Sequence, residues 1–401
     1  MAPTDAVATQ DCPRCRQSVP AGAFCGRCGA DMLRPATGWL PALRPHTYVA
    51  APREPVLLPM ITSTLFLQLP HVYRNPFRVG MAILLTGVIV LSALNLLAPL
   101  VVLVALGVPA LFALYLWQSG VPHDIPGHAF ALAAGLGAGF GAGWVLFTGK
   151  LVARAYGVPM AAGLLLENLV DVGLVIALGG VVLMMLPAAV VRILVGLRRG
   201  SREALDGFTI GALGALSFTA AATTTRLAPQ FVSGLLNNVQ PLRRFTGAIL
   251  FGVAAPLTAT ALGGLIGILL WFRSGPIASR RRGHVRAGVL LLTLVVGAVY
   301  TAIWLIDESP LPRWPQLALH IVMTAIALLA ARFCVQLALL HERQREPEPT
   351  PVLCPNCEHV VPDMAFCPAC GFAANVLSRR ARRQRRERPP TRQEPRSSAD
   401  V

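Results

Sequence analysis

The chain has 401 residues, of which 54% are hydrophobic and 13% are charged, and its formal net charge is +16. A soluble domain carries about a quarter charged residues, so this composition excludes an ordinary soluble protein. Several windows of about 18 or more apolar residues are nearly free of charge, and such windows predict transmembrane helices because about 20 residues cross a core about 30 Å thick. We therefore predict an all-α polytopic membrane helix bundle.

Eight of the nine cysteines fall in two matched sets near the ends of the chain. The first set lies in CPRCRQSVPAGAFCGRCG and the second in CPNCEHVVPDMAFCPACG. In each set two Cys-x-x-Cys pairs are separated by nine residues, and a Pro, a Val-Pro, a Phe and a Gly recur at equivalent positions. The matched cysteines are Cys12, Cys15, Cys25, Cys28, Cys354, Cys357, Cys367 and Cys370.

Four thiolates at this spacing suit Zn²⁺, which takes four sulfurs tetrahedrally at about 2.3 Å. A segment of some twenty residues buries too little surface to fold without a metal. We predict two structural zinc ions in two short zinc ribbons, a class that both segments resemble. Two disulfides per set, or a redox-active pair, are the alternatives. The ninth cysteine, Cys334, lies in the last apolar stretch and is interpreted as a small packing residue.

After the first ribbon, residues 32–76 form a Pro-rich linker that we predict to be extended, with room for a short interfacial stretch in VLLPMITSTLFLQLP. Eight transmembrane helices follow within 77–340. The segment 158–171 allows two interpretations, either the start of the fourth helix or a short amphipathic helix in the interface. The predicted helix bounds are 77–98, 99–119, 127–148, 172–197, 206–228, 245–272, 286–306 and 316–340.

The arginines of the short loops give the predicted orientation. They precede the first span, follow the fourth and sixth, and crowd the tail, and positive loops mark the cytoplasmic side. An even number of spans then places both termini in the cytoplasm. Reduced thiolates belong in the same compartment. We predict a bacterial cytoplasmic membrane protein with both ribbons in the cytosol.

The fifth predicted span begins ALDGFTIGALGALSF, in which small residues at helical spacing favour close helix packing. The same stretch resembles the Asp-Gly-x-x-x-Gly-Ala…Phe helix of the PrsW family of intramembrane metalloproteases. PAAVVRIL, from Pro187, resembles the family's Pro-x-x-Glu-Glu-x-x-Lys segment, and FGVAAPLTATALGGLIGILLW, from Phe251, resembles the later helix that carries the catalytic histidine. The resemblance covers 77–275 and implies a protease-like helical scaffold.

The catalytic residues of that family are absent at the matching positions. Val190 and Val191 stand at the paired glutamates, Leu194 at the lysine, Ala222 at the later glutamate and Thr258 at the histidine. A metalloprotease needs ligands for its ion and a general base for its water, and valine, alanine and threonine supply neither. We therefore predict a scaffold without protease chemistry.

Substitute catalytic groups are the alternative to a non-catalytic scaffold. Glu167 and Asp171 are four residues apart and share one helix face, although both also suit the watery outer interface. A Gly-rich stretch over 135–143 supports a third reading, a transporter or channel, but no repeated pair of broken helices accompanies it. In that alternative, Arg192 and Arg226 could pair with these two carboxylates, and His128 and His320 could contribute further polar groups.

The C-terminal residues 373–401 are rich in arginine and are predicted by composition to form a disordered tail. Arginines near a membrane bind anionic lipid headgroups; a protein partner and nucleic acid are the alternatives, and no aromatic residue interleaves the tail as base stacking would require. The predicted division is a ribbon over 1–31, a linker over 32–76, the bundle over 77–340, a linker over 341–353, a ribbon over 354–372 and the tail. The predicted function is a membrane scaffold or regulatory protein that binds partners through its ribbons.

Overall fold

The computed structural model describes residues 8–33, 46–67, 74–155, 165–195, 203–233, 241–273, 282–307, 312–342 and 348–387. Within these residues the chain forms eleven α-helices and two hairpins of short strands. The two antiparallel hairpins are β1 (Thr9–Asp11) with β2 (Ser18–Pro20), and β3 (Glu348–Leu353) with β4 (Val360–Asp363).

Eight helical stretches are long and apolar enough to cross a membrane, and each corresponds to one of the eight predicted spans. The sixth stretch is a composite of a short helix, a π-helical turn over Leu250–Ala254 and a longer helix. The membrane-length helices, with the short helix that begins the composite, are α2 (Arg74–Ala93), α3 (Leu97–Ser119), α4 (Gly127–Ala155), α5 (Leu165–Leu194), α6 (Ala204–Ser233), α7 (Pro241–Ile249), α8 (Ala255–Trp271), α9 (Arg282–Asp307) and α10 (Arg313–His341). A short helix, α1 (Ile61–Leu65), precedes them, and α11 (Arg379–Glu387) follows them.

The helix of the fourth span begins earlier than the predicted start at 172. Helix α5 runs without a break from Leu165, so residues 165–171 belong to this helix, and its apolar, membrane-length stretch is Leu174–Leu194. The earlier part of the ambiguous segment, 158–164, lies outside the described residues.

Helices α6 and α8 are the two most enclosed spans and form the centre of the bundle. A Cβ atom added to Gly211 would collide with the backbone of Gly263, and one added to Gly267 would collide with the backbone of Gly207. The two helices therefore run antiparallel with their backbones in direct contact, which only glycine permits here. This packing accounts for the small residues of the fifth span.

One end of the bundle gathers the end of α5, the start of α6 and the end of α8. The guanidinium of Arg192 lies 5.3 Å from the ring centroid of Trp271, and Trp271 packs beside Gly207. Helix α4 covers the other face of α6, where Gly137 and Gly141 lie against the α6 backbone. The ribbons stand at this same end, because α11 contacts the start of α6.

Two regions differ from the predictions. Residues 46–67 of the linker are not extended: they form turns and helix α1, and Tyr48, Val49 and Phe66 are buried. The tail is helical over Arg379–Glu387, because acidic side chains from other segments pair with its arginines. The final residues, 388–401, lie outside the described part of the chain.

Candidate metal centres and the paired ribbons

The backbone turns of the first ribbon direct four thiols to one point. After β1, the amide of Arg16 donates to Cys12 O (2.8 Å), and the amide of Gly29 donates to Cys25 O (2.9 Å) in the second turn. Arg16 and Gly29 close these turns with φ of 55° and 69°. Glycine adopts that left-handed conformation without strain, which explains the Gly after the fourth cysteine.

The second ribbon repeats this geometry. The amide of Glu358 donates to Cys354 O (2.9 Å), and the amide of Gly371 donates to Cys367 O (2.8 Å). Glu358 and Gly371 have φ of 58° and 75°. The sequence repeat is therefore a structural repeat, turn by turn.

The sulfur positions match tetrahedral coordination. The Sγ–Sγ distance is 3.7 Å for Cys12 and Cys28 and 3.8 Å for Cys15 and Cys25. Both corresponding pairs of the second ribbon, Cys354 with Cys370 and Cys357 with Cys367, are 3.8 Å apart. Four sulfurs at about 2.3 Å from one ion lie about 3.8 Å from each other.

All four ligand atoms of each set lie within 4.8 Å of one another, and all nine cysteines of the chain are free thiols. Each set is thus a closed four-sulfur site that can hold a metal ion, with no open position for a substrate. The alternative of two disulfides per ribbon is therefore not observed. Cys334 is buried in α10, away from both sets.

In each site, one cysteine has a lower pKa than its neighbours and loses its proton first. A hydrogen bond from Cys28 lowers the pKa of Cys25 to about 5, and a hydrogen bond from Cys354 lowers the pKa of Cys370 to about 4. The pKa values of Cys28 and Cys367 are raised, first by hydrogen bonds to neighbouring sulfurs and then by burial. Metal binding must displace those protons, so affinity falls as pH falls.

The two ribbons contact each other reciprocally. The amide of Phe24 donates to Pro368 O (3.0 Å), and the amide of Phe366 donates to Gly26 O (2.9 Å). In the repeat, Phe366 is the equivalent of Phe24, and Pro368 is the equivalent of Gly26. The same contact is therefore made twice, with the roles of the ribbons exchanged, as across a local twofold axis.

Glycines of the first ribbon make this approach possible. A Cβ atom on Gly22 would lie 2.7 Å from Pro368 O, and one on Gly26 would collide with the side chain of Met364. Met364 packs against the apolar cluster around the first cysteine set. The ribbons thus form one module, which we call the ribbon pair (residues 8–33 and 348–377).

The second ribbon is joined to the bundle by α11. The amide of Arg379 donates to Asp124 Oδ2 (2.5 Å), and its guanidinium donates to Asp206. Arg382 donates to Glu203 Oε1 (2.5 Å). Asp206 and Glu203 lie at the start of α6, where the helix dipole also favours negative charge.

The last turn of α11 holds the ribbon itself. Arg385 and Arg386 donate to the two oxygens of Asp363 at 2.7 Å and 2.5 Å. Arg380 and Arg383 point away and are exposed. Helix α11 therefore acts as a clamp: one row of its arginines joins the ribbon to the bundle. Its other arginines face solvent.

A buried carboxyl lies beside this clamp. Glu342, just past the end of α10, is 5% exposed and accepts a hydrogen bond from the Ala204 amide (2.6 Å). Burial, and then the charge of Glu203, raises the pKa of Glu342 to about 8. The carboxyl is therefore largely protonated at neutral pH, which relieves the crowding of acids here.

The positions that match the PrsW family's catalytic residues do not share one height in the bundle. Val190 and Val191 lie on α5 just past Pro187, which packs against Gly214 of α6. Ala222 is eight residues further along α6, about 12 Å at 1.5 Å per residue. Because α5 and α6 run antiparallel, the valines lie on the far side of Pro187 from Ala222.

Thr258, the fourth of these positions, faces α10. Its hydroxyl donates to Ala254 O (2.9 Å) and shares a hydrogen bond with the hydroxyl of Thr324 (3.1 Å between the oxygens). A hydroxyl in a membrane helix satisfied in this way stabilises packing. At the position that matches the family's histidine, the side chain thus joins α8 to α10.

Among the substitute groups, the side chains of His128 and His320 are described, and neither belongs to a cluster of potential metal ligands. Among the described residues, the two cysteine sets are the groups of three or more potential ligands close enough to hold an ion. His128 is exposed at the start of α4, and His320 is buried in α10. Glu167 and Asp171 lie on α5, and the structure does not describe their side chains.

The guanidinium groups of Arg192 and Arg226 each lie over an aromatic ring. Arg192 stacks on Trp271 as described above, and the guanidinium of Arg226 lies 5.8 Å from the ring centroid of Phe251. Such cation–π contacts stabilise a positive charge near the membrane interface.

Sequence reasoning missed a second polar centre, around Arg332 in α10. This arginine is fully buried and pairs with Glu54 of the linker at 3.0 Å. The signal was present: an ionisable residue in the middle of an apolar span marks a specific site by default. The partner, Glu54, is 278 residues away, so the sequence pattern does not identify it.

Comparison of the chain with protein-family models, curated proteins and solved structures returned no match.

Proposed function

We propose that the protein is a non-catalytic membrane scaffold whose two zinc-loaded ribbons form a single docking module for a protein partner. The reciprocal contact between the ribbons carries this proposal, because it converts two small metal sites into one rigid surface at one end of the bundle. The closed four-sulfur geometry favours a structural role for the metal. Val190, Val191, Ala222 and Thr258 carry no acid or base and do not converge on one pocket, so these positions offer no catalytic centre, in agreement with a scaffold.

The module belongs on the cytoplasmic side in this proposal. Reduced thiolates persist in the cytosol, and the arginine-rich loops follow the positive-inside pattern of a bacterial cytoplasmic membrane protein. The exposed face of α11, with Arg380 and Arg383, would then stand near anionic headgroups. Reporter fusions at the two termini should both read out as cytoplasmic.

Elemental analysis of the full-length protein in mild detergent tests the metal assignment. We expect two zinc ions per chain, one after Cys12→Ser with Cys15→Ser, and two in the control Cys334→Ala, whose thiol lies outside both sets. Iron in place of zinc would contradict the choice of metal. A further ion lost in Glu167→Gln, together with peptide hydrolysis by the wild type, would replace the scaffold by an active protease.

Chemical crosslinking in membranes tests the docking role. We expect a crosslinked partner that disappears when either ribbon loses its cysteines and persists in Cys334→Ala. A partner that is retained in both ribbon variants would place the docking surface elsewhere, and the proposal would fail even with both zinc ions confirmed.

A further inference from the structure

Residues 46–67 descend along α10 instead of remaining outside the bundle. The side chain of Gln336 accepts a hydrogen bond from the Val49 amide (2.9 Å) and donates one to Thr47 O (3.2 Å). Arg332, one helical turn deeper, holds the next part of the segment. It is nine residues before the end of α10, about 13 Å along the axis. The segment therefore reaches the depth of the membrane spans.

Arg332 is the anchor at that depth. It is fully buried, and an unpaired charge there would be costly. One terminal nitrogen donates to two hydroxyls, the other donates to a carboxylate and a carbonyl, and the guanidinium stacks on an aromatic ring. These partners, all from the segment, are Ser63 Oγ (2.6 Å), Thr64 Oγ1 (3.3 Å), Glu54 Oε2 (3.0 Å), Pro55 O (3.1 Å) and the ring of Tyr48 (4.0 Å to its centroid).

The other end of the segment is held by α2 and α3. The ring of Phe66 lies 5.1 Å from that of Phe77 and 5.2 Å from that of Tyr115, measured between centroids. Tyr115 is four residues before the end of α3, about 6 Å along the helix. Helix α1 thus fills a gap between the first span and the last, on the side of the bundle that carries the ribbons.

Between these two attachments the chain presents an apolar tip. Leu57, Leu58 and Met60 are 56%, 47% and 41% exposed. Contiguous exposed apolar residues of this kind mark an interaction surface. Arg53 and Arg78 flank the tip on the exposed side, as expected where a segment passes the headgroup layer.

We propose that residues 57–60 enter the acyl chains of the leaflet on the ribbon side, so that residues 46–67 form a re-entrant element of the membrane domain. The occupant of this surface is lipid. Three observations identify it: the attachment of the segment to Arg332 within the last span, the exposed apolar side chains of the tip, and the flanking arginines. The proposal does not depend on the metal or on a protein partner.

Photocrosslinking to lipid tests it. A diazirine-bearing leucine analogue is placed at Leu58 in the full-length protein, reconstituted in vesicles of phosphatidylcholine and phosphatidylglycerol, and acyl-chain adducts are read by mass spectrometry. Ile83 on α2, 66% exposed, is the lipid-facing reference, and Leu33 of the first ribbon, 77% exposed, is the aqueous reference. We expect an adduct yield at Leu58 within about threefold of that at Ile83.

An adduct yield at Leu58 as low as that at Leu33 would overturn the proposal. An unfolding temperature equal to that of the unlabelled protein shows that each labelled protein is folded, and Met60 provides a second position if labelling at Leu58 disturbs the fold. In Arg332→Met the anchor is removed, and we expect the yield at Met60 to fall severalfold while the yield at Ile83 is unchanged. Equal yields at Met60 with and without Arg332 would show that the segment is not held at depth by this residue.

Discussion

The two ribbons have the same turns and the same sulfur geometry, but they are attached to the molecule in different ways. The second ribbon contacts the bundle through α11, and the amide of Ala373 also donates to Val49 O (2.9 Å). The first ribbon is joined to the second by the hydrogen bonds at Pro368 and Phe366, and its Gly29 also lies against Leu340 of α10. We therefore expect the two metal sites to differ in rank: unfolding of the second ribbon should detach the first, but unfolding of the first should leave the second in place.

The difference between the two ribbons should be largest when one of them loses its metal. A structural zinc site contributes about 10–16 kcal/mol to the folding of a small domain, so Cys354→Ser with Cys357→Ser should unfold the second ribbon and release the first. Cys12→Ser with Cys15→Ser should unfold the first ribbon alone. Both variants should retain one metal ion per chain.

Limited proteolysis with mass spectrometry distinguishes the two outcomes. We expect cleavage within 348–387 and exposure of both ribbons in the first variant. In the second, cleavage should be confined to the N-terminal ribbon. Identical cleavage patterns in the two variants would mean that the ribbons have equal rank.

The clamp should show the next largest effect. Arg379→Ala removes the charged partner of Asp206, which is 7% exposed and keeps only the Glu203 amide as a donor within the described part of the chain, and this loss should lower the free energy of unfolding by about 2–3 kcal/mol. The matched control Arg383→Ala lies on the exposed face of the same helix and should change stability by less than about 0.5 kcal/mol. Thermal unfolding in detergent measures both; equal shifts would argue against the clamp.

The ribbon interface should show the smallest effect. Gly22→Ala places a methyl group against Pro368 O, a backbone atom that must move, and should weaken ribbon pairing by about 1–3 kcal/mol. Gly26→Ala meets the flexible side chain of Met364 and should cost less. Hydrogen exchange at the Phe24 amide reports the opening of the pair, with both metal ions retained. Slower exchange in Gly22→Ala than in Gly26→Ala would contradict the interface described here.

The eight spans and the eight metal ligands could be predicted because both signals are local. A run of apolar residues or a pair of cysteines three positions apart is visible without knowing the fold. The start of α5 at Leu165 was less clear, because Glu167 and Asp171 interrupt the apolar run at the position where a helix end would also be charged.

The contacts between distant segments could not be predicted in this way. The arginine-rich composition of α11 predicted a disordered tail, because composition carries no information on where Asp206 and Asp363 lie in space. The linker appeared extended because its prolines are visible in the sequence and its partner, Arg332, is 278 residues away from Glu54. Each correction comes from a charge pair between segments that only the fold brings together.

The pairing of the chain's two extremities sets an order for its biosynthesis. Phe24 leaves the ribosome early, but its partner Phe366 follows about 340 residues later, which is roughly 20 to 70 seconds at typical translation rates. During that interval the insertion machinery places every span while the first ribbon has only its own metal to keep it folded. The nascent N-terminal ribbon therefore has to capture its ion before its structural partner exists.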